Sequence, residues 1–136
     1  LSSDSRFISR FGGRSYGEER FGEIVDIAVN SRSEIAVLDR GNKQMTILSR
    51  AGSILLTAPL PDEEIVGVES WRSGWLVINS NGKLFYLSPG SRAFSYVLSV
   101  QDKMTQIAPI TDFTIVDDEI FAANGSIISC RLIIHE

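Results

Sequence analysis

Two aspartates stand at corresponding positions of two apolar segments and are the acids best placed for chemistry. Asp26 lies within residues 24–29 and Asp112 within residues 110–115. If both carboxylates faced one cavity, they could hold a metal ion or act as general acid and base. In the alternative interpretation each carboxylate accepts hydrogen bonds from the backbone of a neighbouring segment. We favour the second interpretation, because the residues that usually assist catalytic acids are scarce.

Other residue types that carry chemistry are few. Cys130 is the only cysteine and His135 the only histidine, so neither an internal disulfide nor a paired-histidine metal motif can form. Cys130 sits in an apolar segment and is predicted to be a small buried hydrophobe. Asp117-Asp118-Glu119 resembles a hairpin tip, because the spaced ligands and the glycine of a calcium loop are missing. The sequence therefore predicts a non-catalytic chain without a metal or cofactor.

Three stretches of the chain repeat one layout, which places Asp39, Asn79 and Asn124 at the same register. Each stretch contains short apolar segments separated by turn residues, and Asn81-Gly82 is the strongest hairpin signal. We expect Asp39, at a strand end, to brace the turn that follows it. A repeat of about 40 to 50 residues with several strands is typical of a β-propeller. The expected fold is an all-β propeller fragment of about three four-stranded antiparallel blades.

The repeat divides the chain into an edge and three blades. They are a blade edge at residues 1–22, blades at 23–60 and 61–100, and an incomplete blade at 107–136. The predicted strands are 7–11, 24–29, 34–39, 44–49, 53–57, 65–69, 74–79, 83–88, 93–99, 110–116, 119–124 and 127–134. The first strand of each blade is apolar on both sides, which predicts an inner strand buried on both faces. Pro59 and Pro61 predict a loop at residues 58–62, and residues 101–106 predict one helical turn.

Two segments resemble known propeller families. Residues 21–48, with an Ile-Ala-Val strand and a Gly41-Asn42 turn after Asp39, resemble an NHL repeat. Asp26 departs from that family, which usually has glycine at this position. Residues 109–132 resemble a blade of the large scaffold family of DNA-damage-binding and polyadenylation factors. Both resemblances imply a β-propeller fold, and some NHL-type propellers bind RNA on a basic face.

The expected function is a non-catalytic protein–protein interaction scaffold within a larger propeller protein or complex. A closed propeller needs about four to eight blades, so we expect further blades from the same or another chain. Arg, Tyr and Trp dominate binding hot spots. The candidate binding residues are Arg14, Tyr16, Arg20, Arg40, Asn42, Lys43, Trp71 and Arg72. We expect Trp71 to be the more exposed tryptophan and Trp75 to pack between blades.

Two alternatives remain open. An RNA-binding NHL-type propeller would need Arg14, Arg20, Arg40 and Lys43 on one basic face. A propeller hydrolase or lyase would need Asp26 and Asp112 to share a metal in the central channel. The net charge of −4 excludes a strongly basic nucleic-acid binder. No apolar run reaches the length of a membrane span, and the lack of a signal peptide and of disulfides favours an intracellular location.

Overall fold

The computed structural model describes residues 21–100 and 109–123, and the backbone of residues 127–131. Eleven strands lie in these ranges. They are β1 (Ile24–Val29), β2 (Ile35–Asp39), β3 (Gln44–Leu48), β4 (Ile54–Pro59), β5 (Ile65–Trp71), β6 (Gly74–Asn79), β7 (Lys83–Leu87), β8 (Ser95–Ser99), β9 (Asp112–Val116), β10 (Glu119–Ala123) and β11 (Ile127–Arg131). None of the described segments is a helix that could span a membrane.

The strands form three antiparallel sheets in chain order. The first sheet runs β1-β2-β3-β4, the second β5-β6-β7-β8 and the third β9-β10-β11. β5 contacts both β1 and β9, so the first strands of the three sheets lie side by side. The sheets are therefore blades arranged around a common axis, with β1, β5 and β9 innermost. The described part of the third blade has three strands.

The hairpin predicted at Asn81-Gly82 is confirmed. Gly82 has a φ of +87°, a backbone conformation that residues with a side chain rarely adopt. Its N–H donates to the carbonyl oxygen of Asn79 at 3.0 Å, which closes the turn between β6 and β7. This turn chemistry fixes the register of β7 on β6, in which Ile78 pairs with Leu84.

Two apolar cores join the blades, one at each interface. The first core packs Leu38 and Met45 of the first blade against Val68, Trp75 and Leu87 of the second. The second core joins the second and third blades and contains Leu76, Ile78, Tyr86, Phe113 and Ile120. Because side chains alternate between the faces of a strand, the middle sheet supplies residues to both cores. All of β6 is accordingly buried, and the expected position of Trp75 between blades is confirmed.

The prediction that every inner strand is buried on both faces is right for β5 but wrong for β1 and for β9, in which Asp112, Thr114 and Val116 are exposed. Ile27 and Val29 are each 56% exposed and Ile24 is 52% exposed. β5 has a packed sheet on each side, whereas the described part of the chain packs a sheet on only one face of β1. Within the described ranges, the exposed apolar residues of β1 therefore belong to no second core.

The prediction that residues 58–62 form a loop is wrong at its start. β4 extends to Pro59, which pairs with Gln44 of β3. β4 is the outermost strand of its sheet, and an edge strand tolerates proline because one side of it needs no donor. The predicted strand at 7–11 and the helical turn predicted at 101–106 lie outside the described residues.

Candidate functional site

The turns between strands gather at the two ends of the sheets, and these ends are the binding surfaces available to a propeller. One end, here called the groove face, carries the turns at 30–34, 49–53, 72–73 and 88–94. The opposite face carries the connections at 40–43, 60–64 and 80–82. The predicted binding residues divide between them. Arg40, Asn42 and Lys43 lie on the opposite face, whereas Trp71 and Arg72 lie at the groove face.

Asp39 organises the opposite face of the first blade. Its carboxylate is fully buried and accepts hydrogen bonds from the backbone N–H groups of Gly22, Glu23 and Asn42 at 3.0 to 3.2 Å. The Asn42 side-chain Nδ2 donates to Asp39 Oδ2 at 2.8 Å. A buried carboxylate needs such donors to offset its lost hydration. The expectation that Asp39 braces its turn is confirmed, and Asn42 is part of the same network.

Asn79 occupies the same position in the second blade and forms hydrogen bonds with a different set of partners. It is also fully buried, and its Oδ1 accepts the N–H of Lys83 at 2.7 Å. Its Nδ2 donates to Asp62 Oδ2 at 3.1 Å. The preceding loop thus supplies N–H donors in the first blade but a carboxylate acceptor in the second. An amide therefore replaces the carboxylate at this register.

The charges on the opposite face are largely balanced within the chain. Arg40 pairs with Glu23 at 3.3 Å and Lys43 with Glu63 at 3.6 Å. Both bases border a cleft of about 520 Å³, which is also lined by Leu60, Pro61, Asp62, Glu63 and Glu64. A ligand bound there would compete with ion pairs that already exist. The cleft is therefore a weaker candidate for partner binding than a surface with unpaired charge.

The carboxylates of the two inner-strand aspartates accept hydrogen bonds from backbone N–H groups. Asp26 Oδ1 accepts the N–H of Ile27 at 2.9 Å, and its Oδ2 accepts the N–H of Val68 on the second blade at 3.1 Å. Asp112 Oδ1 likewise accepts the N–H of Phe113 at 2.9 Å. The favoured interpretation of Asp26 as a bond to a neighbouring blade is confirmed. Within the described ranges, no group of three or more acidic, His or Cys side chains is arranged to hold a metal.

Glu69 lies on β5 between the other two acids of the inner strands. Burial raises its pKa, and the negative charges of Asp26 and Asp112 raise it further. All three acids therefore belong to one electrostatic environment beside the axis. A hydrogen bond with the Thr114 side chain on β9 lowers the pKa of Glu69 in part, but burial and the two negative charges outweigh it.

Trp71, Arg72 and Asp118 form a clamp between the second and third blades. Trp71 Nε1 donates to Asp118 Oδ1 at 3.2 Å, and Arg72 pairs with Asp118 Oδ2 at 3.1 Å. The Arg72 guanidinium also stacks over the Trp71 ring, 4.6 Å from its centroid. Trp71 is 6% exposed, so the expectation that it is accessible is wrong. Its ring packs edge-on against Tyr86, with 5.5 Å between the ring centroids.

A groove on the groove face is the best candidate site for a partner. It lies between the first two blades and has a volume of about 350 Å³. Its floor includes Ile47, Trp75 and Leu87, whereas Leu55, Pro89 and Arg92 are exposed at the surface. The full lining is Arg32, Glu34, Ile47, Leu55, Leu56, Ser73, Trp75, Leu87, Ser88, Pro89, Gly90 and Arg92. We call it the inter-blade groove.

The charges around the inter-blade groove differ from those of the cleft on the opposite face. Arg32 is held by Glu34 at 3.6 Å, but Arg92 forms no ion pair with any residue of the described ranges. Leu55 is 50% exposed beside the groove. An apolar surface next to an unpaired guanidinium suits a segment that carries both apolar and acidic side chains.

Sequence reasoning missed this groove. Its residues come from the turns of two blades, and none of them stands out within its own segment. Only Leu55 gave a signal in the sequence, because it is an apolar residue on the last strand of its blade. The Pro89-Gly90 turn of the next blade lies at the same end of the sheets. Arg14, Tyr16 and Arg20 lie outside the described residues.

Comparison with solved structures decides the fold. The computationally designed Ika4 protein superposes with a TM-score of 0.62 at 9% identity, covering 93% of this chain and 74% of that one. The structure of YCF48 bound to D1 peptide gives 0.65 at 12% identity, covering 85% of this chain and 38% of that one. The N-terminal domain of Nup159 gives 0.57 at 13% identity, covering 82% and 35%. The fold is that of a β-propeller.

These likenesses define the fold and nothing finer, because all three identities are low. The chain spans 38% of the YCF48 chain and 35% of the Nup159 chain. No protein-family model and no curated protein matches the chain.

Proposed function

We propose that the chain is a non-catalytic part of a larger β-propeller and binds an extended segment of a partner protein in the inter-blade groove. The observation that carries the proposal is the pairing of exposed apolar surface at Leu55 and Pro89 with the guanidinium of Arg92, which has no ion-pair partner in the described ranges. This combination selects a segment with apolar and acidic residues. The solved complex of YCF48 with a peptide supports the view that this fold can hold a short segment.

The two alternative functions have less support. For RNA binding, Arg40 and Lys43 would have to present free positive charge, yet each pairs with a glutamate. For a hydrolase or lyase, Asp26 would have to face the channel, yet both of its oxygens accept backbone hydrogen bonds. The NHL-type resemblance and the resemblance to the DNA-damage-binding scaffold remain predictions.

The experiment uses short fluorescein-labelled peptides in which Leu and Pro are flanked by aspartates, and matched peptides in which lysines replace the aspartates. Fluorescence anisotropy measures their affinity for the wild-type chain and for two variants. Arg92→Glu reverses the charge beside the groove, whereas Arg50→Glu makes the same change on the same face outside it. We expect Arg92→Glu to weaken binding of the aspartate peptide about tenfold or more, and Arg50→Glu to leave it nearly unchanged.

Equal losses in the two variants would show that the peptide follows the general charge of the face, and the groove would be ruled out. Tighter binding of the lysine peptide, or no binding of either peptide to the wild-type chain, would contradict the proposed ligand chemistry.

A further inference from the structure

The third blade has one sheet face on which no described sheet packs, although the Thr114 hydroxyl at its inner edge hydrogen-bonds to Glu69 of β5. We call it the terminal face. The side chains on this face are those of Asp112, Thr114, Phe121 and Ala123. The side chains that alternate with them point to the other face of the sheet, which packs on the second blade. A hollow of about 200 Å³ opens at the terminal face, and Asp112 and Thr114 are exposed there. The interface between the first and second blades shows how such a face packs against the next blade.

Asp112 repeats the arrangement of Asp26 in the first blade. Asp26 pairs with Leu38, the residue before Asp39, and Asp112 pairs with Ala123, the residue before Asn124. In both cases Oδ1 accepts the N–H of the next residue at 2.9 Å. The local bond therefore holds the two carboxylates in the same orientation relative to their strands.

The two carboxylates differ in the hydrogen bonding of their second oxygen, Oδ2. Asp26 Oδ2 accepts the N–H of Val68 on the next blade at 3.1 Å. Asp112 Oδ2 receives no hydrogen bond from the described residues, although it occupies the equivalent place one interface further on. An oriented carboxylate oxygen is a strong acceptor for a backbone N–H that approaches from a new blade.

Glycine before the donor is part of the arrangement. Val68 follows Gly67, and a Cβ built on Gly67 would lie 3.1 Å from the Phe113 ring and 3.6 Å from Asp26 Oδ2. A larger residue would push against the aromatic ring that enters from the next blade. The missing side chain lets Phe113 of the third blade approach β5 closely, and it leaves the N–H beside Asp26 uncrowded.

We propose that the terminal face binds the inner strand of a further propeller blade, with Asp112 Oδ2 accepting the backbone N–H of a residue that follows a glycine. Phe121 and Ala123 would pack against that strand, as the equivalent residues of β2 in the first blade pack against β5. The inference rests on the part of the proposed function that makes this chain one portion of a larger propeller. It does not depend on the inter-blade groove.

A second copy of this chain does not meet these requirements at its first blade. There Asp26 stands at the position of Gly67, and the N–H of Ile27 already donates to Asp26 Oδ1. Joining the terminal face to β1 of a second copy would also place Asp112 next to Asp26, with two like charges at close range. The expected occupant is therefore a blade with a Gly-apolar step, like that of Gly67-Val68.

The test supplies such a blade by fusion. A second copy of residues 61–100 is joined to the C-terminal end of the full chain through a flexible Gly/Ser linker, which holds it at high effective concentration. The appended copy alone is labelled with ¹⁵N by segmental ligation. Hydrogen exchange by NMR then follows the amide that corresponds to Val68. The two comparison arms carry either Asp112→Asn in the parent chain or Gly67→Asp in the appended copy only.

We expect this amide to exchange at least about tenfold more slowly in the unmodified fusion than in either variant arm. The Gly67→Asp arm leaves the parent sequence intact, so misfolding of the Asp112→Asn parent cannot imitate the result. Equal protection in the Asp112→Asn arm, equal protection in the Gly67→Asp arm, or no protection in the unmodified fusion would each overturn the proposal. So would a parent chain that dimerises in solution and becomes monomeric on Asp112→Asn, because its occupant would then be a second copy. A negative peptide result at the groove would leave all of these outcomes unchanged.

Discussion

Asp26 Oδ2 accepts a hydrogen bond from the backbone N–H of Val68 at 3.1 Å, across the interface between the first two blades. The residues on either side of this bond are mostly apolar, so their packing alone would allow one sheet to slide on the other. A directional bond from a backbone donor to a charged acceptor fixes the position of β1 relative to β5 along the direction of the strands. The bond joins residues 42 positions apart in the chain.

Replacing Asp26 by Asn should lower the free energy of unfolding by about 1 to 2 kcal/mol, because an amide has one acceptor oxygen for two backbone donors. Relief of the repulsion with Glu69 keeps the loss from being larger. Urea denaturation followed by circular dichroism measures the change. Asp112→Asn is the matched control, since Asp112 makes the same local bond but no interblade bond to any described residue, and it should cost less than about 0.5 kcal/mol. Equal losses would mean that the local bond, not the bond to Val68, carries the effect.

Replacing Asn79 by Asp should cost about 2 to 4 kcal/mol at neutral pH. The substitution buries a second carboxylate against Asp62, where Asn79 Nδ2 now donates at 3.1 Å. In the folded variant, the two neighbouring carboxylates at positions 62 and 79 bind a shared proton more tightly than they do in the unfolded chain. The pKa of this pair is therefore raised in the folded state. The loss is therefore complete above the raised pKa and disappears below the ordinary carboxyl pKa of about 4. Urea denaturation at several pH values measures this profile.

The compensating substitution gives the control for Asn79. Combining Asn79→Asp with Asp62→Asn restores one amide and one carboxylate with their positions exchanged, and most of the stability should return. If the double variant is as unstable as the single one, the shape of the buried amide matters more than its charge.

The sequence contained enough local information to predict the strands but only some of the contacts between blades, among them those of Trp75 and Asp26. The bounds 24–29 and 74–79 were predicted correctly, because alternation and apolar runs depend on neighbouring residues. Asp39 was predicted to brace its turn for the same local reason. The Trp71–Asp118 contact joins residues 47 positions apart, and a single sequence has no pattern that pairs them. Trp71 therefore looked exposed, since its neighbours Arg72 and Ser73 form a turn.

Replacing Glu69 by Gln should stabilise the protein at pH 7.5 by on the order of 0.5 kcal/mol, a modest gain because Glu69 is only partly buried. Burial and the charges of Asp26 and Asp112 raise the pKa of Glu69, so the folded chain holds this proton at a pH where the unfolded chain has lost it. The wild-type free energy of unfolding therefore falls as pH rises from the ordinary value of 4.5 to the raised one. Urea titrations at pH 7.5 and below pH 4 should show the gain at the first pH and none at the second. A gain that persists at the lower pH would exclude an electrostatic cause.

Two substitutions of Asp118 should separate the two bonds of the clamp between the second and third blades. Asp118→Asn removes the charge that pairs with Arg72 but can keep an acceptor for Trp71 Nε1, and it should cost no more than about 1 kcal/mol because the ion pair is partly exposed. Asp118→Ala removes both partners and leaves a buried indole N–H unsatisfied, so its cost should rise to about 2 kcal/mol. Urea denaturation gives the energies, and tryptophan emission reports the surroundings of the indole. If Asn and Ala cost the same and shift the emission equally, the ion pair with Arg72, rather than the bond from Trp71, holds the third blade in place.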